Sequence, residues 1–193
     1  TKQIDTSLPV WEDYLPLLQS ASGQELADCE RLTDLLKTNV CSLSGQRIRF
    51  VRSDELADEP YEQRIYNSGQ VSTRPNNWHD LFNALVWAKF PAIKVAMNSC
   101  HFHAWSEQKS GRRGKLRDAL TLFDECGVIA YSANKEVLKA LSERRWKEAF
   151  LNERFKLDLH LSVCGHAILE KYLSPYKSMT AKALLLHVSE DFI

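Results

Sequence analysis

Asn76, His79, Asp80 and Asn83 recur at i, i+3, i+4 and i+7, the spacing that places side chains on one face of a helix. None of the four is a lysine or a glutamate, the residues an ordinary solvated face uses, so the set reads as the lining of a site. A His and an Asp one residue apart can both reach a metal ion, or one can orient the other as base and support. The competing reading is capping. Asn76 or Asn77 would close the helix N-terminus, Asp80 would answer the dipole in the first turn, and His79 would face solvent. Capping explains Asp80 alone better than it explains the face as a set. His166 and Glu170 form a second pair, at i and i+4, just behind Gly165. Such a pair supplies two metal ligands, or a base with its orienting carboxylate. Spacing alone slightly favours a solvated ion pair, with Lys171 beside it as an anion contact or a surface residue.

A third group is basic. Between Glu107 and Arg117 stand Lys109, Arg112, Arg113, Lys115 and Arg117, five bases against one acid, with Gly111 and Gly114 among them. Side chains and exposed amides of such a loop can clamp a phosphate. It lacks the glycine spacing and the following Ser or Thr of a P-loop, so a Walker-type nucleotide site is not expected. His101 and His103 would share a face in an extended segment, but two ligands are too few for a site. In an alternating run, Arg117 to Phe123, Asp118 and the following Asp124 share a face with Leu120 and Leu122, and read as salt-bridge partners of Arg112, Arg113 or Arg117 at least as readily as catalytic groups. Asp124-Glu125-Cys126-Gly127 reads as a hairpin turn. The sequence carries no GxSxG, HExxH, GxGxxG, EF-hand loop or CxxC.

The elements that must carry these residues are mixed. Around Asn76 a helix runs from Trp78 to Phe90, with an apolar stripe of Trp78, Leu81, Phe82, Leu85, Val86 and Phe90. Pro91 stops it and opens a second helix to about Asn98. Further helices are expected around Trp11 to Leu18 (interrupted at Pro16), over Gln24 to Lys37, from an Asn134 cap to about Asn152, and from His166 to Leu173. Strands are expected at Gln46 to Val51, Tyr61 to Tyr66, Arg117 to Phe123, Val128 to Tyr131, Leu157 to Val163 and Ala183 to Val188. Without strict βαβ alternation the expectation is α+β: one domain, 1–193, with an antiparallel or mixed sheet. In it a helical part, 1–45, packs on a core of 46–193.

Composition narrows the partners. Twenty-five Lys and Arg against twenty-five Asp and Glu leave no global field to hold nucleic acid or an anionic membrane. No apolar run approaches the roughly 18 residues a membrane helix needs. The five cysteines are dispersed and odd in number, so free thiols in a reducing, cytoplasmic compartment are expected. The opening at Thr1 leaves room for a removed signal peptide.

Three blocks are distinctive as strings. They are Thr73-Arg74-Pro75-Asn76-Asn77-Trp78-His79-Asp80-Leu81-Phe82-Asn83-Ala84-Leu85-Val86-Trp87, then Arg117 through Glu125, then Gly165-His166-Ala167 with Glu170-Lys171. With Phe90-Pro91, Lys94, Asn98 and Pro175-Tyr176, they resemble a bacterial family, domain of unknown function 3025, over nearly the whole chain. The resemblance implies a single bacterial domain and carries no activity. From the residues alone, the expected function is metal-assisted hydrolysis. His79, Asp80, His166 and Glu170 would be ligands or base for a divalent ion, and Asn83 would stand beside them. Asn76, Arg112, Arg113, Arg117 and Lys171 would hold a small anionic, phosphate-bearing substrate. Two alternatives stand beside it: a non-enzymatic module binding nucleic acid or protein, and a metal-free His/carboxylate acid-base enzyme.

Overall fold

A computed structural model describes residues 4–21, 26–37, 39–106 and 114–193, so Lys109, Arg112 and Arg113 lie outside the described residues. The chain begins with two short helices, α1 (Leu15–Ala21) and α2 (Cys29–Asp34). Pro16 does not interrupt a helix. It sits in the first turn of α1, where its missing N–H removes no helical bond. The Asp28 carboxylate caps α2 by accepting from the N–H groups of Glu30 and Arg31, which is why the helix starts there rather than at Gln24.

Next come strand β1 (Arg49–Arg52), helix α3 (Tyr61–Ser68) and strand β2 (Gln70–Thr73). The strand expected at Tyr61 to Tyr66 is this helix, which buries Arg64 and Ile65 and closes on Gly69 at φ +70°. β1 and β2 pair in parallel, Arg49 opposite Gln70 through Arg52 opposite Thr73, and a parallel pair needs a crossover, which α3 supplies. A side chain at residue 69 would also meet the Arg47 carbonyl oxygen at 2.1 Å, so glycine is required twice over.

Helix α4 (Trp78–Lys89) is the centre of the molecule, buried from Asp80 through Trp87. The Asn77 side chain caps it by accepting the Asp80 N–H at 3.1 Å. Helix α5 (Pro91–Ser106) continues past Asn98 through His101 and His103, so these two residues point apart: His101 is buried and His103 exposed. Helix α6 (Lys115–Cys126) replaces both the expected strand at Arg117 to Phe123 and the expected hairpin turn. Its more sheltered positions include Arg117, Leu120, Thr121 and Asp124, spaced i, i+3, i+4 and i+7, while Leu116 and Leu122 are exposed. The helical period is thus carried largely by polar residues, and the Leu120/Leu122 alternation is incidental.

Strand β3 (Gly127–Ser132) follows directly, with Gly127 at an ordinary φ of −74°. It is the middle of a mixed sheet, antiparallel to β4 (His160–Val163) and parallel to β5 (Lys182–His187). Between β3 and β4 lie α7 (Lys135–Ser142), α8 (Trp146–Leu151) and α9 (Glu153–Asp158). Asn134 caps α7 as expected, but the helix breaks near Arg144, at φ +58°, instead of reaching Asn152. Asn152 then caps α9, which takes the first two residues of the strand expected at Leu157 to Val163. Helix α10 (His166–Lys171) packs against α4 and α6. The fold is α+β. No helix among the described residues is long and apolar enough to cross a membrane.

Candidate metal centre

Three helices bring their first or last turns to one place. α4 contributes His79 in its first turn, α10 contributes His166 as its first residue, and α6 contributes Asp124 and Glu125 just before it ends. The junction is close because glycines form it. The N–H groups of Cys164 and Gly165 both donate to the Gly127 carbonyl, at 3.0 and 2.8 Å. A Cβ at Gly165 would fall 2.3 Å from the Gly127 nitrogen.

The two imidazoles meet edge to face, with centroids 4.4 Å apart and planes at 78°. Their Nε2 atoms are 3.0 Å apart. On the far side of His79, Nδ1 lies 3.0 Å from the Glu170 carboxylate, Oε2. A carboxylate accepts, so Nδ1 carries a proton and donates it to Glu170. His166 is buried, and burial drives its pKa down to about 3 against the pull of Asp124, so the ring is neutral. Its Nδ1 is buried without a hydrogen bond of good geometry and faces Asp124, whose Oδ2 stands 3.7 Å away. The 3.0 Å between the two Nε2 atoms is the length of an N–H···N hydrogen bond, and it also lets both nitrogens face one cation. The Glu125 carboxylate completes the cluster, Oε2 lying 3.7 Å from His166 Nε2. One ligand atom from each of His79, Glu125 and His166 lies within 4.8 Å of the others. For comparison, two nitrogens each about 2.0–2.1 Å from a tetrahedral ion lie roughly 3.3 Å apart.

The charges behind the cluster are paired. Lys94 is buried and gives Nζ to Asp124 Oδ1 at 2.5 Å and to Asn83 Oδ1 at 2.9 Å. Burial opposes a charge on Asp124, yet the Lys94 ammonium beside it holds its carboxyl below the usual range. Burial pushes the Glu125 carboxyl up, with His79 pulling the other way. Asn83 Nδ2 donates to the Tyr61 hydroxyl at 3.0 Å. In front lies a cavity of about 380 Å³ whose walls include Tyr61, Glu62, Arg74, His79, Glu125 and His166. A wider hollow of about 530 Å³ by Asn134, Arg154 and His160 gathers no comparable cluster of ligands among the described residues.

The expected residues therefore separate. His79, His166 and Glu170 come together, Glu170 behind His79 rather than beside the convergent nitrogens. Asp80 lines the cavity, but Arg74 takes both its oxygens, through the backbone N–H at 2.6 Å, Nε at 3.0 Å and Nη2 at 2.8 Å. Asn83 is buried on Lys94 and Tyr61. Asn76, at φ +53°, exchanges hydrogen bonds with the backbone of Leu26 and serves the turn. The Arg117 guanidinium lies over the Trp105 ring, 4.4 Å from its centroid, and Lys171 reaches toward the Cys126 sulfur at 3.9 Å. Neither lines the cavity. Sequence reading missed Tyr61, Lys94, Asp124 and Glu125 as parts of one site. A signal for one wall was present: Lys94, Asn98 and His101 recur at i, i+4 and i+7 along α5, and all three are buried.

A family model described as "Protein of unknown function (DUF3025)" matches residues 48–193, a stretch that contains every residue of the cluster. No curated protein and no solved structure matches the chain.

Proposed function

This chain belongs to the family described as "Protein of unknown function (DUF3025)", and we propose that it is a metal-dependent hydrolase whose ion is held by His79 Nε2, His166 Nε2 and the Glu125 carboxylate. The observation that carries the reading is the 3.0 Å approach of two imidazole Nε2 atoms, the ring of one being fixed by Glu170 and that of the other backed by Asp124. With Nδ1 of each ring on the side of a carboxylate, both Nε2 atoms can turn a lone pair to one ion. Carboxylates behind the distal nitrogens are the usual means of fixing tautomer and orientation in ligating histidines. Two imidazoles and one carboxylate suit a zinc-like divalent ion and leave a coordination position open. Such an ion supplies Lewis acidity and brings the pKa of a bound water toward about 7.

The remaining side chains hold and position. Lys94 neutralises Asp124 and keeps it aimed at His166. Arg74 keeps Asp80 from competing for the ion. Of the basic segment Lys109 to Arg117 the structure describes Lys115 and Arg117, neither in the cavity wall, so nothing described there supports the anionic substrate the sequence suggested.

The test is elemental analysis of protein purified without chelator or affinity metal, beside His79→Ala, His166→Ala and Glu125→Ala. The expected result is close to one divalent ion per chain in the wild type, lost in both histidine variants and bound at least about tenfold more weakly in Glu125→Ala. A folded wild type that neither carries nor takes up metal overturns the reading, as do histidine variants that keep it.

A further inference from the structure

Tyr61 stands in the cavity wall with His79, Glu125 and His166, and its hydrogen bonding is fixed by a chain of elimination. Lys94 has only donors, and its Nζ lies 2.9 Å from one end of the Asn83 amide, which must therefore be the oxygen. The other end is then the NH2, and it donates to the Tyr61 oxygen at 3.0 Å. Tyr61 thus accepts inside the protein, and no acceptor among the described residues takes its own hydrogen. Desolvation at the hydroxyl end of a side chain that is otherwise exposed, with the neighbouring charges of Glu62, Asp124 and Asp80, raises its pKa well above that of an ordinary tyrosine, so the hydrogen stays on the oxygen.

The wall also selects what it can meet. Asp80 is paired with Arg74 and Asp124 with Lys94, which leaves Glu62 and Glu125 as the wall's carboxyl groups without a Lys or Arg partner among the described residues, and its guanidinium already taken. A phosphoryl group would bring its own negative charge into that field. A carbonyl brings none and develops it only in the transition state, on the oxygen, where a fixed donor gains most.

Resting on the hydrolase reading above, we propose that Tyr61 is a catalytic residue that donates its phenolic O–H to the carbonyl oxygen of a carboxamide or carboxylic ester. Water adds to the carbonyl carbon, a C–O bond forms, and the π pair moves onto the oxygen under the Tyr61 hydrogen bond. The pair returns as the C–N or C–O bond to the leaving group breaks. The proton given up by the water ends on the leaving nitrogen or oxygen, and Tyr61 keeps its own.

Tyr61→Phe removes the oxygen and keeps the ring. With metal-loaded full-length protein, 4-nitrophenyl acetate and 4-nitrophenyl phosphate are the reaction probes, and acetohydroxamate, a carbonyl-bearing metal ligand, is the binding probe. The variant is expected to keep its metal, to lose roughly 10²–10³-fold in kcat on the acetate with KM little changed, and to bind acetohydroxamate at least about tenfold more weakly. Turnover of the phosphate in preference to the acetate overturns the substrate class. Equal acetohydroxamate affinity in variant and wild type overturns the role of Tyr61, whether or not either ester is turned over. A wild type without metal overturns the hydrolase reading instead, so the two failures are distinguishable.

Discussion

Glu62 is a carboxyl whose surroundings act mainly through burial. Its Oε2 accepts from Asn98 Nδ2 at 2.7 Å, and it lies in the cavity wall with Tyr61 and Asp124. Burial pushes its pKa up. Asn98 and Lys94 pull it down, Asp124 adds to the rise, and the net direction is upward. The folded protein therefore binds this proton more tightly than the unfolded chain. The stability that Glu62 contributes is complete below the unfolded carboxyl value of 4.5 and is lost as pH rises through the raised folded value. Glu62→Gln keeps the shape and cannot ionise. It is expected to be more stable than wild type at pH 7.5, and the difference is expected to shrink toward pH 4. Urea midpoints of both proteins at the two pH values measure this. A variant less stable at pH 7.5 would show that the carboxylate is held ionised by Asn98 and Lys94. The same residue-scale logic separates Asp80 from Glu125. Both are acids on a helix near a histidine, but three donors of Arg74 consume Asp80, while Glu125 keeps an oxygen facing His166.

At the scale of elements, helices were readable where their inward face is apolar and unreadable where it is polar. α4 announces itself through Leu81, Phe82, Leu85 and Val86, an Asn77 cap and a Pro91 stop, and it carries His79 where spacing places it. α10 announces itself through Gly165 and the Ser174-Pro175 stop, and it carries His166 and Glu170. α6 shelters Arg117, Thr121 and Asp124 beside Leu120, so hydrophobic periodicity reports the wrong element and Glu125 is mistaken for turn chemistry. α3 is misread for a related reason: it buries only Arg64 and Ile65, and its role as the β1–β2 crossover is a tertiary fact. Half of the candidate site was therefore legible, the half on α4 and α10. The joint between these elements and α6 is made by backbone: Gly165 rests on Gly127 and Cys126, and a Cβ there meets main-chain atoms at 2.3 and 2.7 Å, which cannot swing aside. Gly165→Ala is thus expected to push α10 off α6, destabilising the protein by about 1–3 kcal/mol and separating His166 from His79. Thermal unfolding and a zinc titration against a competing chelator check both halves, with at least about tenfold weaker binding expected. Gly114→Ala, where a Cβ meets nothing within 4 Å, is the control: at the N-cap of α6 it is expected to cost at most about 0.5–1 kcal/mol and to leave zinc affinity unchanged. A Gly165→Ala protein with unchanged melting and zinc affinity would refute the joint.

On the scale of the whole molecule, the helices that hold the candidate ligands are braced by a segment outside the family match. Trp11 stacks on Phe82 of α4 at 5.5 Å and meets Tyr172, just past α10, edge-on at 6.4 Å. The Tyr14 hydroxyl donates to the Val163 carbonyl at 2.6 Å, two residues before Gly165. Residues before 48 thus grip both sides of the cluster, and the three ligands reach it from helices far apart in sequence. An ion held there would cross-link α4, α6 and α10, so binding and folding must be linked: whatever binds only the folded state stabilises it. At a free metal concentration of about 100 times Kd the gain is about 2.7 kcal/mol, which for a chain of this length is a rise in Tm of roughly 5–10 °C. Wild type stripped by chelator and then titrated with zinc is expected to show that rise, growing with the logarithm of concentration. His79→Ala is expected to show almost none, since it loses a ligand while leaving Trp11, Phe82 and Tyr14 in place. A wild type whose Tm ignores zinc would remove the three-helix cross-link. An undiminished rise in His79→Ala would place the stabilising ion elsewhere on the molecule.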